Sequence, residues 1–290
     1  MKLNVRDETS KLETVILGLA LDSGEARGIN PKAKHYLDTG EYPTDESLNA
    51  QVNTFQQVLT DHGVQVLRPR NIPRTDQMYT RDIAFVIGNK IVRANMKYDQ
   101  RKPEYEAIQP IIDLVDPNDV ILLPSEEIRI EGGDVVLYNG VIFVGQGERT
   151  NREGYEFLKQ TFGDYEVIPL DLNVTGDHET NVLHLDCAFQ PIGRDQAIIF
   201  KQGFRTPPEA VYDLFPEENL IKVTPEEKYK MFPNIFSLSP DLAVSEETFE
   251  RLNQELRKRG VEVIAIPYLE SFKKDGLFRC STLPLYRREE

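Results

Sequence analysis

The sequence predicts an α/β fold in which one helix–strand unit recurs five times and closes on itself. Three observations carry this expectation. A helical run, a glycine, a short β run and a proline follow one another near both ends of the chain. The two copies are closely phrased, Thr54-Phe55 through Val66 and Thr248-Phe249 through Val263. Three weaker copies lie between them, at intervals of about 40 to 55 residues, which marks a repeat architecture. Apolar strand pairs separate some of the copies, so each repeat reads as hairpin, helix, strand. Units this small cannot bury a hydrophobic face alone and must gather around a common centre.

The elements follow in order. Thr14-Val15-Ile16-Leu17-Gly18 is the first strand, and the polar stretch Asp22–Pro43, with Gly24, Gly28, Pro31 and Gly40, reads as a long loop or lid. Leu48, Val52, Phe55 and Leu59 recur at helical spacing, Gly63 stops the helix, and Val64–Leu67 is a strand ending at Pro69. The weaker units are Glu104–Leu114 with Val120–Leu123, Gly154–Thr161 with Glu166–Ile168, and Glu209–Phe215 with Leu220–Thr224. They close at Pro124, Pro169 and Pro225. The last has Phe249, Leu252 and Leu256 on its helix, Gly260 as stop, and Val261–Ile266 before Pro267. Ile83–Val92 and Asp134–Val144 are hairpins around Gly-Asn and Asn-Gly turns, and Ala197–Phe200 is a short strand.

Composition limits the function. The 290 residues are 40% hydrophobic and 28% charged, enough for a sizeable core, and 1–290 is expected to be a single domain. A net charge of −14 argues against nucleic acid or an anionic membrane surface as partner and permits a small cationic substrate. Two cysteines, Cys187 and Cys280, make no disulfide framework and fit a reducing cytoplasm. The first residues carry no apolar run of signal-peptide length, and no stretch is apolar enough to span a bilayer, so a cytoplasmic location is expected. A homo-oligomer stays open.

A polar residue follows each unit-closing proline, 7 to 15 residues on: Asp82, Glu131, His184, Asn234 and Cys280. Each precedes the next apolar strand, so closure of the repeats would bring all five to the axis. Asp186 lies two residues beyond His184. A thiol beside an imidazole is a nucleophile with an acid–base partner. Carboxylates beside a thiol raise its pKa and disfavour ionisation. They fit a substrate that is itself a planar cation, a guanidinium or amidinium, which donates paired N–H bonds to carboxylates and favours the thiolate. Each residue also has a plainer reading. Asp82, Glu131 and Asn234 suit turns, His184 suits a satisfied core site, Cys187 suits packing, and His178, His184 and Asp186 could ligate a metal.

The motifs Tyr79-Thr80-Arg81-Asp82, Glu131-Gly132-Gly133-Asp134, Gly147-Glu148-Arg149-Thr150-Asn151, His184-Leu185-Asp186 and Cys280-Ser281-Thr282-Leu283-Pro284 stand in this order along nearly the whole chain. Together they resemble the guanidino-group-modifying enzymes: arginine deiminases, dimethylarginine dimethylaminohydrolases and amidinotransferases. The resemblance implies the pentein fold, a five-bladed α/β propeller with pseudo-five-fold repeats, and a cofactor-free, metal-free reaction through a covalent thiouronium. It assigns Cys280 as nucleophile, His184 as acid and base, and Glu131 to His184 or the guanidinium. Asp82 and Asp186 hold the guanidinium, and Arg149 or Arg101 binds a substrate carboxylate. Asn234 is placed with the substrate-binding residues by its position in the repeat. Water as the second reactant would make a hydrolase, an amine an amidinotransferase. A pentein-fold binding protein without catalysis is the alternative of another class. Family members often carry a glycine-rich run before the cysteine. Here it is Lys273-Lys274-Asp275-Gly276, and the two lysines either meet a substrate carboxylate or face solvent.

Overall fold

The structure, a computed structural model, describes residues 1–288. Its strands form five three-stranded sheets, each an antiparallel pair followed by a third, parallel strand. Tight turns allow the antiparallel pairs, and helical crossovers make the third strands parallel. The second blade is Ala84–Ile87, Lys90–Arg93 and Val120–Ile121, and the third is Val135–Tyr138, Val141–Gln146 and Glu166–Asp171. The fourth is Phe189–Ile192, Gln196–Ile199 and Leu220–Lys222, and the fifth is Phe236–Ser239, Leu242–Glu246 and Glu262–Ile266. The first blade joins the two ends of the chain: Thr282–Arg288 pairs antiparallel with Lys11–Leu17, and Gln65–Leu67 pairs parallel with that strand. The closing strand begins two residues after Cys280.

The leading strand of the second, third and fourth blades is buried throughout, whereas the third strands mix buried and exposed positions. Leading strands therefore face the centre and helices the outside. Thr282–Arg288 packs on Ala84–Ile87, Val135–Tyr138 on Phe189–Ile192, and Lys11–Leu17 on Phe236–Ser239; the turns before the second and third blades pack together, and Asn234 bonds the fifth to the fourth, which closes the ring.

Helix Asp45–Asp61 shows how the sequence sets the outer layer. Thr44 caps it by accepting from the Ser47 N–H, Asp45 and Glu46 sit at its positive end, and Leu48, Val52, Phe55 and Leu59 are buried. Each such side chain contributes about 1.5–3 kcal/mol of apolar burial. Gly63 follows at φ +77°, the left-handed conformation that ends a helix.

Three expectations need correction. The stretch Asp22–Pro43 is not loop throughout, because Pro31–Asp38 is helical. Asn30 accepts from the Ala33 N–H as N-cap and Pro31 takes the first turn, a start signal legible in Asn30-Pro31. Pro169 does not end its strand but lies inside Glu166–Asp171, paired with Val144. That strand is the edge of its sheet, so a missing N–H costs no ladder bond on the open side. Pro225 opens a helix, Pro225–Tyr229, behind a Thr224–Glu227 capping box.

One buried side chain ties the centre together. The Arg279 guanidinium donates to both Glu8 oxygens at 2.8 and 3.3 Å, to Asp186 Oδ2 at 2.8 Å and to the Val135 carbonyl at 2.8 Å. It links the N-terminal segment, the third and fourth blades and the closing loop. Burial raises the Glu8 pKa, but the charges of Arg279 and Arg81 outweigh it and hold Glu8 at about 2. A carboxylate depressed in this way contributes stability above its unfolded pKa of about 4.5, and the contribution is lost as pH falls towards about 2. Arg279→Met would leave Glu8 and Asp186 buried without their shared cation. A loss of roughly 3–5 kcal/mol in urea unfolding is expected, and a loss below about 1 kcal/mol would exclude Arg279 as the central tie.

Candidate active site

The five expected positions do occupy equivalent places. Asp82 lies in the helical turn Thr80–Ile83 that leads into the second blade. Glu131 and His184 head the turns Gly132–Asp134 and Leu185–Cys187 before the third and fourth. Asn234 and Cys280 stand two residues before the leading strands of the fifth and first. These turns bond to one another around the centre. Arg81 N–H donates to the Cys280 carbonyl at 3.1 Å, and Leu185 N–H to Asp134 Oδ1 at 2.9 Å. Asn234 Nδ2 donates to the Asp186 carbonyl at 3.5 Å, and Cys280 N–H to Asn234 Oδ1 at 3.2 Å. The second and third turns meet by contact alone: a Cβ on Gly132 would lie 2.1 Å from the Arg81 carbonyl oxygen.

The side chains form two connected groups. In the first, His184 Nε2 donates to Glu131 Oε2 at 2.9 Å, and His184 Nδ1 lies 3.7 Å from Asp82 Oδ1. Glu131 also accepts from the Lys97 N–H at 3.0 Å and from Arg149 Nη1 at 3.2 Å. Gly133 permits this approach, because a Cβ there would sit 2.7 Å from His184 Nδ1 and 3.0 Å from Asp82 Oδ1. Burial opposes the His184 charge, but Asp82, Asp134 and Glu131 outweigh it and raise the pKa to about 9. Burial likewise opposes the Glu131 charge, but the His184 bond and Arg149 hold its carboxyl well below the usual range. The pair is therefore carboxylate and imidazolium at neutral pH.

In the second group, Cys280 Sγ lies 3.6 Å from Asp186 Oδ2, the oxygen that also holds Arg279. Burial pushes the thiol well above its ordinary pKa, and Asp186 and Asp82 push it further. Cys280 is a neutral thiol here. Asn234, expected on the substrate, instead serves the loop that carries Cys280: its Oδ1 accepts from both the Leu277 and Cys280 N–H groups.

A cavity of about 300 Å³ opens onto this cluster. Of the expected residues, Asp82, Arg101, Arg149 and Cys280 line it, whereas Glu131, His184, Asp186 and Asn234 do not reach its wall. Asp82 Oδ1 is buried and has no hydrogen-bond partner. A cation bound beside Cys280 would supply one. Lys274 lines the cavity, paired with Asp76 at 2.5 Å, while Lys273 pairs with Glu270 at 2.9 Å. The stretch 23–45 contributes much of the remaining wall, including Ile29, Asn30, Tyr42 and Leu48 just beyond it. Lys32 and Asn30 pin it to the nucleophile loop through Asp275 at 2.7 Å and the Lys274 carbonyl at 3.1 Å. Glu8 and Asp76 escaped the sequence reading because their partners, Arg279 and Lys274, are distant in the chain.

Asp82, Glu131 and His184 each offer a ligand atom within 4.8 Å of the others, a spacing a metal ion would accept. Arg101 and Arg149 already sit on those carboxylates, so such an ion would meet two guanidinium groups. The alternative set of His178, His184 and Asp186 is not assembled at that spacing among the described residues. His178 stacks on His35 at a centroid distance of 4.1 Å.

Residues 28–287 match the model of the family described as N,N dimethylarginine dimethylhydrolase, eukaryotic. The chain belongs to that family. This dimethylarginine dimethylhydrolase family member is 31% identical over 285 residues to the Bacillus subtilis (strain 168) protein YkgA, covering 98% of this chain and 95% of that one. It is 25% identical to the arginine deiminase of Latilactobacillus sakei over 75% of this chain and 63% of the deiminase. Among solved structures it superposes on SxtG, an amidinotransferase from Microseira wollei, with a TM-score of 0.83 at 18% identity, covering 99% and 98% of the two chains. The N-terminal domain of the cyanobacterial arginine dihydrolase ArgZ gives 0.82 at 19% identity, covering 96% and 98%. The fold is the pentein five-bladed α/β propeller of the guanidino-modifying superfamily.

Asn234→Ala would strand two buried N–H donors in the nucleophile loop, at about 1–3 kcal/mol each. A lowered melting temperature together with a lowered kcat is the expected result, and an unchanged melting temperature would show that Asn234 does not hold the loop.

Proposed function

We propose that this protein is a cysteine-dependent hydrolase acting on the guanidino group of arginine or a related compound through a covalent thiouronium. Membership of a family described as dimethylarginine dimethylhydrolases supports the reaction class. The observation that carries the reading is Asp82 Oδ1, buried without a hydrogen bond and 3.7 Å from the His184 ring, in a cavity whose wall also includes Cys280. It is a buried anionic acceptor beside a thiol, and it asks for a planar cation.

The reading assigns these steps. A guanidinium in the cavity donates an N–H bond to Asp82 Oδ1, and, as the resemblance implies, a second to Asp186 Oδ2, which lies behind the cavity wall on Cys280 and Arg279. The added positive charge opposes the effect of Asp186 and Asp82 on Cys280, and the thiol loses its proton to solvent, since His184 is already protonated. Sγ bonds to the guanidinium carbon, and a tetrahedral adduct forms. The C–N bond then breaks as His184, charged through Asp82, Asp134 and Glu131, gives its proton to the departing amine. Water adds to the thiouronium carbon while neutral His184 takes its proton. The C–S bond breaks to release the ureido product and restore the thiolate. An amine in place of that water would give amidino transfer. The structural neighbours include both kinds of protein, and incubation with and without amine acceptors separates the outcomes.

Cys280→Ala is expected to abolish ureido product, and retained turnover would end the mechanism. The free thiol is expected to show no thiolate absorbance near neutral pH and to gain it when a non-reacting amidine cation is bound. Thiolate absorbance already complete in the unliganded protein would contradict substrate-assisted ionisation. Because His184 is raised to about 9 and acts as the acid, kcat/KM is expected to fall as pH rises through about 9. Glu131→Gln would move that limb to lower pH, and an unmoved limb would assign the titration to another group.

A further inference from the structure

Resting on the guanidino reading above, we infer that the loop before helix Pro31–Asp38 reads the far end of the substrate, with Arg27 taking an α-carboxylate and Glu25 the ammonium beside it. Most charges on the cavity wall are matched within the protein. Arg101 holds Asp82 Oδ2 at 2.8 Å and forks onto Glu104 at 2.9 Å. Burial pushes Glu104 up to about 7, and Asp82 remains the partner of Arg101 when Glu104 is protonated. Arg149 holds Glu131 at 3.2 Å, Lys274 holds Asp76 at 2.5 Å, and Lys32 holds Asp275 at 2.7 Å. Arg27 and Glu25 are the exceptions. Both line the cavity and both are exposed, and neither side chain has a hydrogen bond or ion pair among the described residues.

The backbone that presents them is tied down on both sides. Ser23 N–H donates to Asp45 Oδ2 at 2.8 Å. The Ile29 carbonyl accepts from Arg149 Nη2 at 3.4 Å, and Asn30 Nδ2 donates to the Lys274 carbonyl at 3.1 Å. Between these ties one cation and one anion stand two residues apart on the wall of the cavity that holds Cys280. An α-amino acid head carries the complementary pair, a carboxylate and an ammonium on one carbon. A guanidinium donates two parallel N–H bonds to such a carboxylate, and a glutamate accepts from the ammonium. The carboxylate expected on Arg149 or Arg101 has in Arg27 a receptor that gives up no partner to bind it. The substrate is thus a guanidino compound that ends in an α-amino acid head, and the loop distinguishes it from analogues that lack either charge.

The test uses the intact protein and four ligands that differ at the far end. They are arginine, 5-guanidinopentanoate without the ammonium, 4-guanidinobutylamine without the carboxylate, and butylguanidine without either. Affinities are measured by calorimetry on the Cys280→Ala variant, and kcat and KM on the protein with its cysteine. Arginine is expected to bind most tightly of the four. Arg27→Gln is expected to raise KM for arginine and 5-guanidinopentanoate at least about fivefold relative to the two ligands without a carboxylate, as loss of one charged contact at a solvent-facing rim allows. Glu25→Gln is expected to act in the same way on arginine and 4-guanidinobutylamine, relative to the two ligands without an ammonium. Arg27→Lys keeps the charge and is expected to restore part of the lost ratio. A loss shared equally by all four ligands in Arg27→Gln, or unchanged ratios in that variant, would overturn the inference while leaving the guanidino reading intact. Binding and turnover of none of the four would overturn both.

Discussion

The buried Arg279 guanidinium is the interaction on which the rest depends. It reaches Glu8, Asp186 and the Val135 carbonyl from the residue immediately before Cys280. Isolated buried ion pairs often add little net stability, because desolvation cancels much of the attraction. Their stronger effect is on registry, since a fork with fixed donor directions fits one arrangement of partners. Here that arrangement joins the two ends of the chain to the middle blades. It also sets the position of the nucleophile, because Cys280 cannot shift without moving Arg279. Stability at the axis and alignment at the site are the same constraint.

The chemistry inherits this placement. The entry turns of the blades bond to or pack on their neighbours, so each of these side chains is positioned from two sides. The consequence is an unusual resting charge distribution. His184 is charged, Glu131 is its counter-ion, and Cys280 is protonated because Asp186 and Asp82 stand beside it. In the proposed reaction this carboxylate-rich site keeps the thiol protonated until a cation arrives, which would couple substrate recognition to activation.

Much of the fold was legible in the sequence because repetition is a local signal. The helix of Leu48, Val52, Phe55 and Leu59 and its copy near Phe249 announced the unit, and Asn139-Gly140 adopts the positive φ angles its hairpin requires. The placement of Asp82, Glu131, His184, Asn234 and Cys280 at equivalent points followed from the repeat. What each does there did not. Asn234 turned out to hold the Cys280 and Leu277 N–H groups, a role set by a loop 43 to 46 residues away. An apolar strand after Cys280 was implied by the repeat, but the pairing of Thr282–Arg288 was not, because its partner Lys11–Leu17 stands at the other end of the chain. The Pro31–Asp38 helix was missed among surrounding glycines, although Asn30-Pro31 is a helix-start pair. Glu8 carries no local mark, since its role lies in Arg279 at the other end of the chain.

The central claim is that Cys280 bonds to the guanidinium carbon. Acid quenching during turnover, followed by intact-mass and peptide mass spectrometry, tests it most directly. The account predicts an adduct whose mass equals the substrate less its departing amine, located on the peptide that contains Cys280 and absent from Cys280→Ala. Turnover with no trapped adduct in the steady state or in a pre-steady-state burst, or an adduct on Cys187 instead, would contradict it.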